Sequence, residues 1–416
     1  MDGMGVRSYR RARYTMTEQT TKENSSLLDV FKVFLKLGLT SFGGPIAHLG
    51  YFRDEFVERQ KWLSEHAYAD LVALCQFLPG PASSQVGIAV GLSRAGFGGA
   101  LAAWAGFTLP SALALILFAF GLQSWGATDS GWIHGLKIAA VAVVAQAVWG
   151  MAQSLTPDRE RATLAAFTAM LALAVPTAWG QVGAIAVGGV AGFLFLKNHK
   201  SLPHVEFSVP VSRKAGFTCL FLFVALLFAL PIISAALPED NGILLFDHFY
   251  RAGALVFGGG HVVLPLLQAG VVPQGLVGYD QFLAGYGAAQ AVPGPLFTFA
   301  AYLGAVMGTE PNGWTGAALC LAAIFVPSFL LIIGVLPFWE SLRKFAAVRS
   351  ALLGINAAVV GILLAALYNP VWTAGILSPG DFALMIGAFL LLTMWKTPPW
   401  MVVALCAAGG ALLAAL

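Results

Sequence analysis

The chain has 416 residues, 58% of them hydrophobic and 10% charged, with a mean hydropathy of +0.79. Soluble domains carry about 25% charged residues, so this composition excludes a soluble enzyme and describes a polytopic membrane protein. A net charge of +3 is too small to argue for nucleic acid as a partner.

Residues 1–27 are polar and hold Arg7, Arg10, Arg11, Arg13 and Lys22. No apolar h-region or small-residue cleavage site marks a signal peptide, so this segment reads as a disordered cytoplasmic tail. Two apolar but interrupted stretches follow, 28–50 broken by FGGP (42–45) and 66–93 broken by QFLPGP (76–81). In a helix interior each Gly costs roughly 1 kcal/mol and each Pro about 3. Continuous apolar segments run at about 99–123, 132–153, 160–176, 179–196 and 215–237. Interrupted stretches return at 246–270 and 280–308, then continuous ones at about 314–338, 350–368, 380–395 and 399–416. A crossing needs about 20 residues, and the continuous segments make nine crossings.

The interrupted stretches reveal a repeat. FLKLGLTSFGGP (34–45) aligns without a gap with FYRAGALVFGGG (249–260), QFLPGP with QAVPGP (290–295), and FTLPSALALILFAFG (107–121) with IFVPSFLLIIGVLPF (324–338). Matching motifs in one order at nearly constant offset divide the chain into a tail (1–27), a first repeat (28–200), a linker with one transmembrane helix (201–244) and a second repeat (245–416).

Loop charges orient the repeats. The loop after FGGP holds Arg53, Arg59 and Lys61, whereas its counterpart before Gln281 holds no Lys or Arg. Loop 124–131 has none, and its counterpart 339–349 has Arg343, Lys344 and Arg349. Loop 154–161 has Arg159 and Arg161; loop 369–379 has none. The linker carries Lys197, Lys200, Arg213 and Lys214, the C-terminus nothing. Each pair has opposite character, so by the positive-inside rule the halves are inverted, as in many secondary transporters. The rule also puts both flanks of 28–50, and both flanks of 66–93, in the cytoplasm. Four re-entrant hairpins, two per half, satisfy this; the alternative for 28–50 is a single crossing with an exceptional charged flank. The expected fold is thus an all-α integral membrane protein of two inverted homologous halves, with broken or re-entrant hairpins at the FGG(P/G) and PGP turns. The N-terminus is then cytoplasmic and the C-terminus external.

Irregular backbone at membrane depth is tolerated where it is buried in protein or lines a cavity. A helix restarting after such a turn aims free N–H groups and a positive dipole end inward, which suits an anion. Gly43, Gly44, Gly80, Gly258, Gly259 and Gly294 let the backbone approach a ligand, while Pro45, Pro79, Pro81, Pro293 and Pro295 shape the turns. Lys36 and Arg251 occupy matching positions before the two glycine turns. A cation inside an apolar segment reads as functional, although snorkelling or pairing, such as Arg251 with Asp247, would also account for it. His48 and His261 follow the turns and suit oxyanion or proton binding, or simple core packing. Ser41, Ser83, Ser84 and Thr298 offer hydroxyls, which also bond routinely to their own helices. Asp54, Glu55, Glu58 and Glu65 form a solvated face or, alternatively, a cytoplasmic gate paired with Arg53, Arg59 and Lys61. Cys75, Cys219, Cys320 and Cys406 are far apart and read as packing residues. With no CxxC, HExxH, P-loop or GxSxG, no cofactor is expected.

Together, FGGPxAH (42–48), the charged stretch ending RQKWLSEHAYADL, QFLPGP, FGGGHVVLPLL (257–267) and QAVPGP resemble the chromate ion transporter family in its two-domain form. The resemblance implies export of chromate across the plasma membrane and chromate resistance, driven by the proton gradient or membrane potential. It leaves protons as a candidate coupling ion and a homodimer as a candidate assembly. Chromate and sulfate are both tetrahedral dianions, so a sulfate-type channel or a less specific carrier is the alternative. The second half departs from the first at FGGG, and His261 aligns with Ile46 rather than His48.

Overall fold

The computed structural model describes residues 26–125, 131–196, 211–237, 240–257, 260–339 and 345–415. The expected tail, Gly258, Gly259, Lys197, Lys200, Arg343 and Lys344 lie wholly or largely outside them. Helix α1 (Leu27–Thr40) begins at Ser26, whose hydroxyl accepts from the Asp29 N–H, and stops at Ser41 before the two glycines. The chain restarts as α2 (Gly44–Arg53), continuing into one π-helical turn, Asp54–Arg59. The Phe34 ring lies 5.2 Å from Phe56 and 5.8 Å from Phe52. In one straight helix residues 34 and 56 would stand about 33 Å apart, so the chain doubles back at the FGGP turn.

Ser64 caps α3 (Glu65–Phe77), which packs on the start of α4 (Ala82–Trp125) beyond the PGP turn. Helix α4 is itself broken at Ala95 and Gly96, so a short arm, 82–94, precedes a long one, 97–125. There follow α5 (Gly131–Leu155), α6 (Arg159–Ala174), α7 (Ala178–Phe195) and α8 (Arg213–Ala236). The order of elements then recurs. Helices α9 (Asn241–Ala254) and α10 (Val263–Val271) flank the second glycine turn. His248 bonds Gln274 at 3.1 Å, which holds the two arms side by side. Helices α11 (Tyr279–Ala291) and α12 (Phe299–Val306) flank the second PGP, and the Tyr302 hydroxyl returns to the Gln281 carbonyl at 2.8 Å. Helices α13 (Gly313–Val335), α14 (Ala346–Ala366), α15 (Pro379–Thr393) and α16 (Pro399–Ala415) complete the chain.

Among the described residues, five helices are long and apolar enough to cross a membrane by length and composition. The chain is therefore a multi-pass membrane protein. Helices α6, α7, α15 and α16 fall short of 20 residues, at 16, 18, 15 and 17. Four of the nine expected crossings thus match short apolar runs, their helices starting at or one residue before the runs, where Asp158, Thr177 and Ser378 cap three of them.

Two packing relations position the turns. Gly38 of α1 meets the carbonyls of Gly106 and Phe107, and Gly253 of α9 meets that of Ile324; a Cβ would come within 2.6 Å and 2.1 Å of these oxygens. Matching glycines thus seat matching helices. Trp104 packs on Phe325 (5.7 Å) and Phe329 (6.1 Å), while Phe120 packs on Trp314 (5.5 Å). The long arm of α4 and its counterpart α13 therefore run antiparallel. The halves also exchange helices, α7 lying along α14 and α16 along α5.

Candidate functional site

The turns hold one another. The Gly80 N–H donates to the Val256 carbonyl at 2.6 Å, and the Gly294 N–H donates to the Ser41 carbonyl at 2.9 Å. Val256 and Ser41 both directly precede Phe-Gly-Gly. Each PGP turn is thereby pinned to the glycine turn of the other half. Gly80 and Gly294 have φ of +119° and +92°, a region that residues with a Cβ rarely enter. The Ser328 and Ser111 hydroxyls stand 3.0 Å and 2.8 Å from where those Cβ atoms would be. The two N–H groups expected as anion donors are thus satisfied by protein carbonyls, as buried backbone groups generally are. Gly43 and Gly44, at φ +97° and +77°, open α2 with no side-chain cap, leaving that N-terminus open to another acceptor.

Buried polar side chains gather around the first-half turns. Ser41, His48, Ser83 and Ser84 are 0%, 1%, 1% and 4% exposed. His48 Nδ1 lies 3.3 Å from Ser83 Oγ, its ring stands edge-on to Phe107, and the Ser41 backbone is beside it. Among the described residues, His48 Nε2, Ser41 Oγ, Ser84 Oγ, Thr108 Oγ1 and Ser328 Oγ have no hydrogen-bond partner, and neither does Gln85 Oε1, whose amide nitrogen bonds the Pro79 carbonyl. Unsatisfied buried polar atoms are costly and few in native proteins, so this concentration makes the surroundings of the turns the candidate site. In the second half, Thr298 spends its hydroxyl on the Pro295 carbonyl at 2.8 Å. His261 takes another position: its Nδ1 is 2.9 Å from the Tyr286 hydroxyl, and its Nε2 faces Gly44.

Gly43, Gly44, His261, Gln290, Gly294 and Pro399 line a cavity of about 20 Å³. An open groove of about 330 Å³ shares Gly43 and Pro399 and extends past Tyr51, Gln146 and Lys396. A polar surface with one cation thus leads to the FGGP turn.

Lys36 and Arg251 do not reach this cavity's lining. Lys36 Nζ bonds Glu55 at 3.0 Å across its hairpin. Arg251 grips both oxygens of Asp247, at 2.8 Å and 2.5 Å, and touches His248 at 3.0 Å. Of the acidic stretch, Asp54, Glu58 and Glu65 are exposed partners of Arg53. Glu55 is instead 3% exposed and bonds Lys36, Arg59 and Gln60 at this loop end of the hairpin. Burial alone would raise its carboxyl, but the Gln60 and Lys36 hydrogen bonds and the charges of Lys36 and Arg59 hold it below the usual carboxylate range.

Sequence reasoning missed one cation. Lys137, 7% exposed in α5, bonds Asp280 at the start of α11 at 2.5 Å, and one turn earlier His134 bonds Asp381 at 3.0 Å. A lone Lys inside the apolar run 132–153 was the available signal.

Comparison with known proteins decides the kinship. The sequence pattern of the chromate transporter family matches residues 28–193 and 243–411. The chain belongs to the chromate transporter family. It is 27% identical over 413 residues to a chromate transport protein of Pseudomonas aeruginosa, covering 97% of this chain and 96% of that one. It is 28% identical over 377 residues to a probable chromate transport protein of Synechococcus elongatus, covering 89% and 90%. A chromate transport protein of Cupriavidus metallidurans is 25% identical over 393 residues, with 92% of each chain covered. No solved structure matches the chain. Both stretches matched by the chromate transporter family carry one glycine turn and one PGP turn, and α8 lies between them.

Proposed function

We propose that this protein is a secondary active transporter carrying chromate, or a sulfate-like tetrahedral dianion, out of the cell across the plasma membrane. The relatives named for chromate transport support the substrate class. The observation that carries the mechanism is the reciprocal pinning of the turns, Gly80 to Val256 and Gly294 to Ser41, around unpartnered buried polar atoms. In this reading the repeats 28–200 and 245–416 are inverted, with the N-terminus cytoplasmic and the C-terminus external. The antiparallel packing of α4 on α13 supports the inversion. The four broken stretches are re-entrant hairpins, and their tips meet near the bilayer midplane, where inverted-repeat transporters place their substrate.

The anion enters from the cytoplasmic groove, drawn by Lys396, and reaches the uncapped start of α2 beside Ser41 and His48. Helix N-termini and hydroxyl donors replace its hydration shell. Release to the other side requires the halves to rock about the pinned turns, which exchanges the groove for an outer opening. A narrow cavity next to an open groove supports alternating access over a continuous pore. The proton gradient or membrane potential supplies the drive, and cells gain chromate resistance.

Uptake of chromate into inside-out vesicles tests this. Saturable uptake that sulfate competes with, and that falls when the pH gradient or the potential is collapsed, is expected. Non-saturating, ohmic flux would replace the carrier with a channel, and no uptake of either ion would overturn the oxyanion assignment.

A further inference from the structure

The small cavity at the FGGP turn belongs to both halves. Gly43 and Gly44 come from the first, and His261, Gln290 and Gly294 from the second. The bond from the Gly294 N–H to the Ser41 carbonyl holds the two together. The lining is rich in donors. Gln290 Nε2 is buried and has no hydrogen-bond partner among the described residues. His261 Nε2 would stand 3.9 Å from a Cβ on Gly44. When the Tyr286 hydroxyl donates to His261 Nδ1, the ring proton sits on Nε2. A helix start leaves its first N–H groups without helical partners. In α2 these are the groups of Gly43, Gly44 and Ile46, because Pro45 has no N–H. Among the described residues no carboxylate lines this cavity or the groove beside it, whereas Lys396 lines the groove.

We propose, on the transport reading above, that the oxyanion binds across this junction of the halves, one oxygen in the cavity and the others in the groove, with the Gln290 amide as its specificity-determining donor. Size supports the division. A cavity of about 20 Å³ holds one water-sized group, hence a single oxygen of a tetrahedral ion. The groove, at about 330 Å³, has room for the rest. The two spaces share Gly43 and Pro399, so an ion seated at Gly43 reaches both. An unpaired buried amide N–H is costly, and an acceptor oxygen placed there removes that cost. The start of α2 adds the positive end of its dipole, and Lys396 adds a full charge at the groove. The class of ligand is therefore an oxyanion presenting acceptor oxygens in several directions at once. Because its donors come from both halves, the bound ion spans the interface that alternating access has to move. Its affinity then differs between the two states, which is what allows binding to bias the exchange.

Gln290→Met removes the donor at nearly constant volume, and purified full-length protein carrying it should keep the ligand-free melting temperature of the wild type. In proteoliposomes it should raise the KM for chromate about tenfold or more, the loss expected for a hydrogen bond to a charged ligand, while sulfate weakens as a competitor in parallel. Gln290→Glu, of the same size but bringing a like charge to the anion, should abolish saturable transport. Gln268→Met, in a separate cavity of about 80 Å³ shared with Gln181 and Asn369, should shift KM less than about twofold. A measurement on the wild type is independent of how the variants fold. Selenate, a tetrahedral dianion located by its anomalous scattering, should lie within hydrogen-bond distance of Gln290 Nε2 and the first turn of α2. A KM unchanged by Gln290→Met, or selenate seated away from this junction, overturns the shared site and leaves the transport reading standing. Wild-type protein that transports neither chromate nor sulfate overturns the transport reading itself.

Discussion

Gly80 shows how much rests on a single residue here. Its φ of +119° excludes a Cβ without strain, and its N–H carries one of the two main-chain hydrogen bonds that pin turn to turn across the halves. Gly80→Ala should cost about 1–3 kcal/mol in backbone strain, read as a lowered melting temperature and lost transport. Gly150→Ala, on α5 where a Cβ meets nothing within 4 Å, should do neither. Arg251 makes a different case. It holds Asp247, which is 2% exposed, so Arg251→Ala leaves a buried carboxylate unpaired and should destabilise the protein by about 3–5 kcal/mol. Adding Asp247→Ala should restore most of the melting temperature and of the transport. A single variant that melts normally yet transports nothing would instead put Arg251 on the substrate.

Helices and hairpins set the next scale. Lys137 and Asp280 clasp α5 to α11, the arm leading to the second PGP. Asp280→Ala strands a buried ammonium and should cost about 1–3 kcal/mol, whereas Lys137→Leu should be close to neutral because it removes the buried charge and leaves only the half-exposed Asp280 carboxylate, which water can solvate. Thermal unfolding of both variants checks this, and equal losses would contradict it. The breaks that define these elements were legible in the sequence, because Gly and Pro announce them locally. The partners across a hairpin were not. Lys36 meets Glu55 only because the chain reverses at FGGP, and a count of charges spread Glu55 onto a solvated face. The main-chain bonds from Gly80 and Gly294 leave no side-chain trace at all. They instead consume donors that the Gly-Pro pattern alone had offered to the anion. His48 and Ser83 were recognised singly, but their pairing needed the fold to bring α2 onto α4.

At the scale of the whole molecule, α4 and α13 are equivalent in sequence and opposite in direction, and each half lends a helix to the other. A two-fold axis lying in the membrane plane would generate such an arrangement, and on the proposed transport reading it is the symmetry that alternating access uses. The loop charges pointed the same way, because Arg53, Arg59 and Lys61 have uncharged counterparts. The most direct test of the inverted halves is the side from which two matching loops can be reached. Single cysteines replace Arg53, after the first glycine turn, and Gln274, after the second, and each is probed with a membrane-impermeant maleimide in intact cells and in inside-out vesicles. Inversion predicts labelling of the Arg53 site from the cytoplasmic side and of the Gln274 site from outside; labelling of both from one side would contradict it.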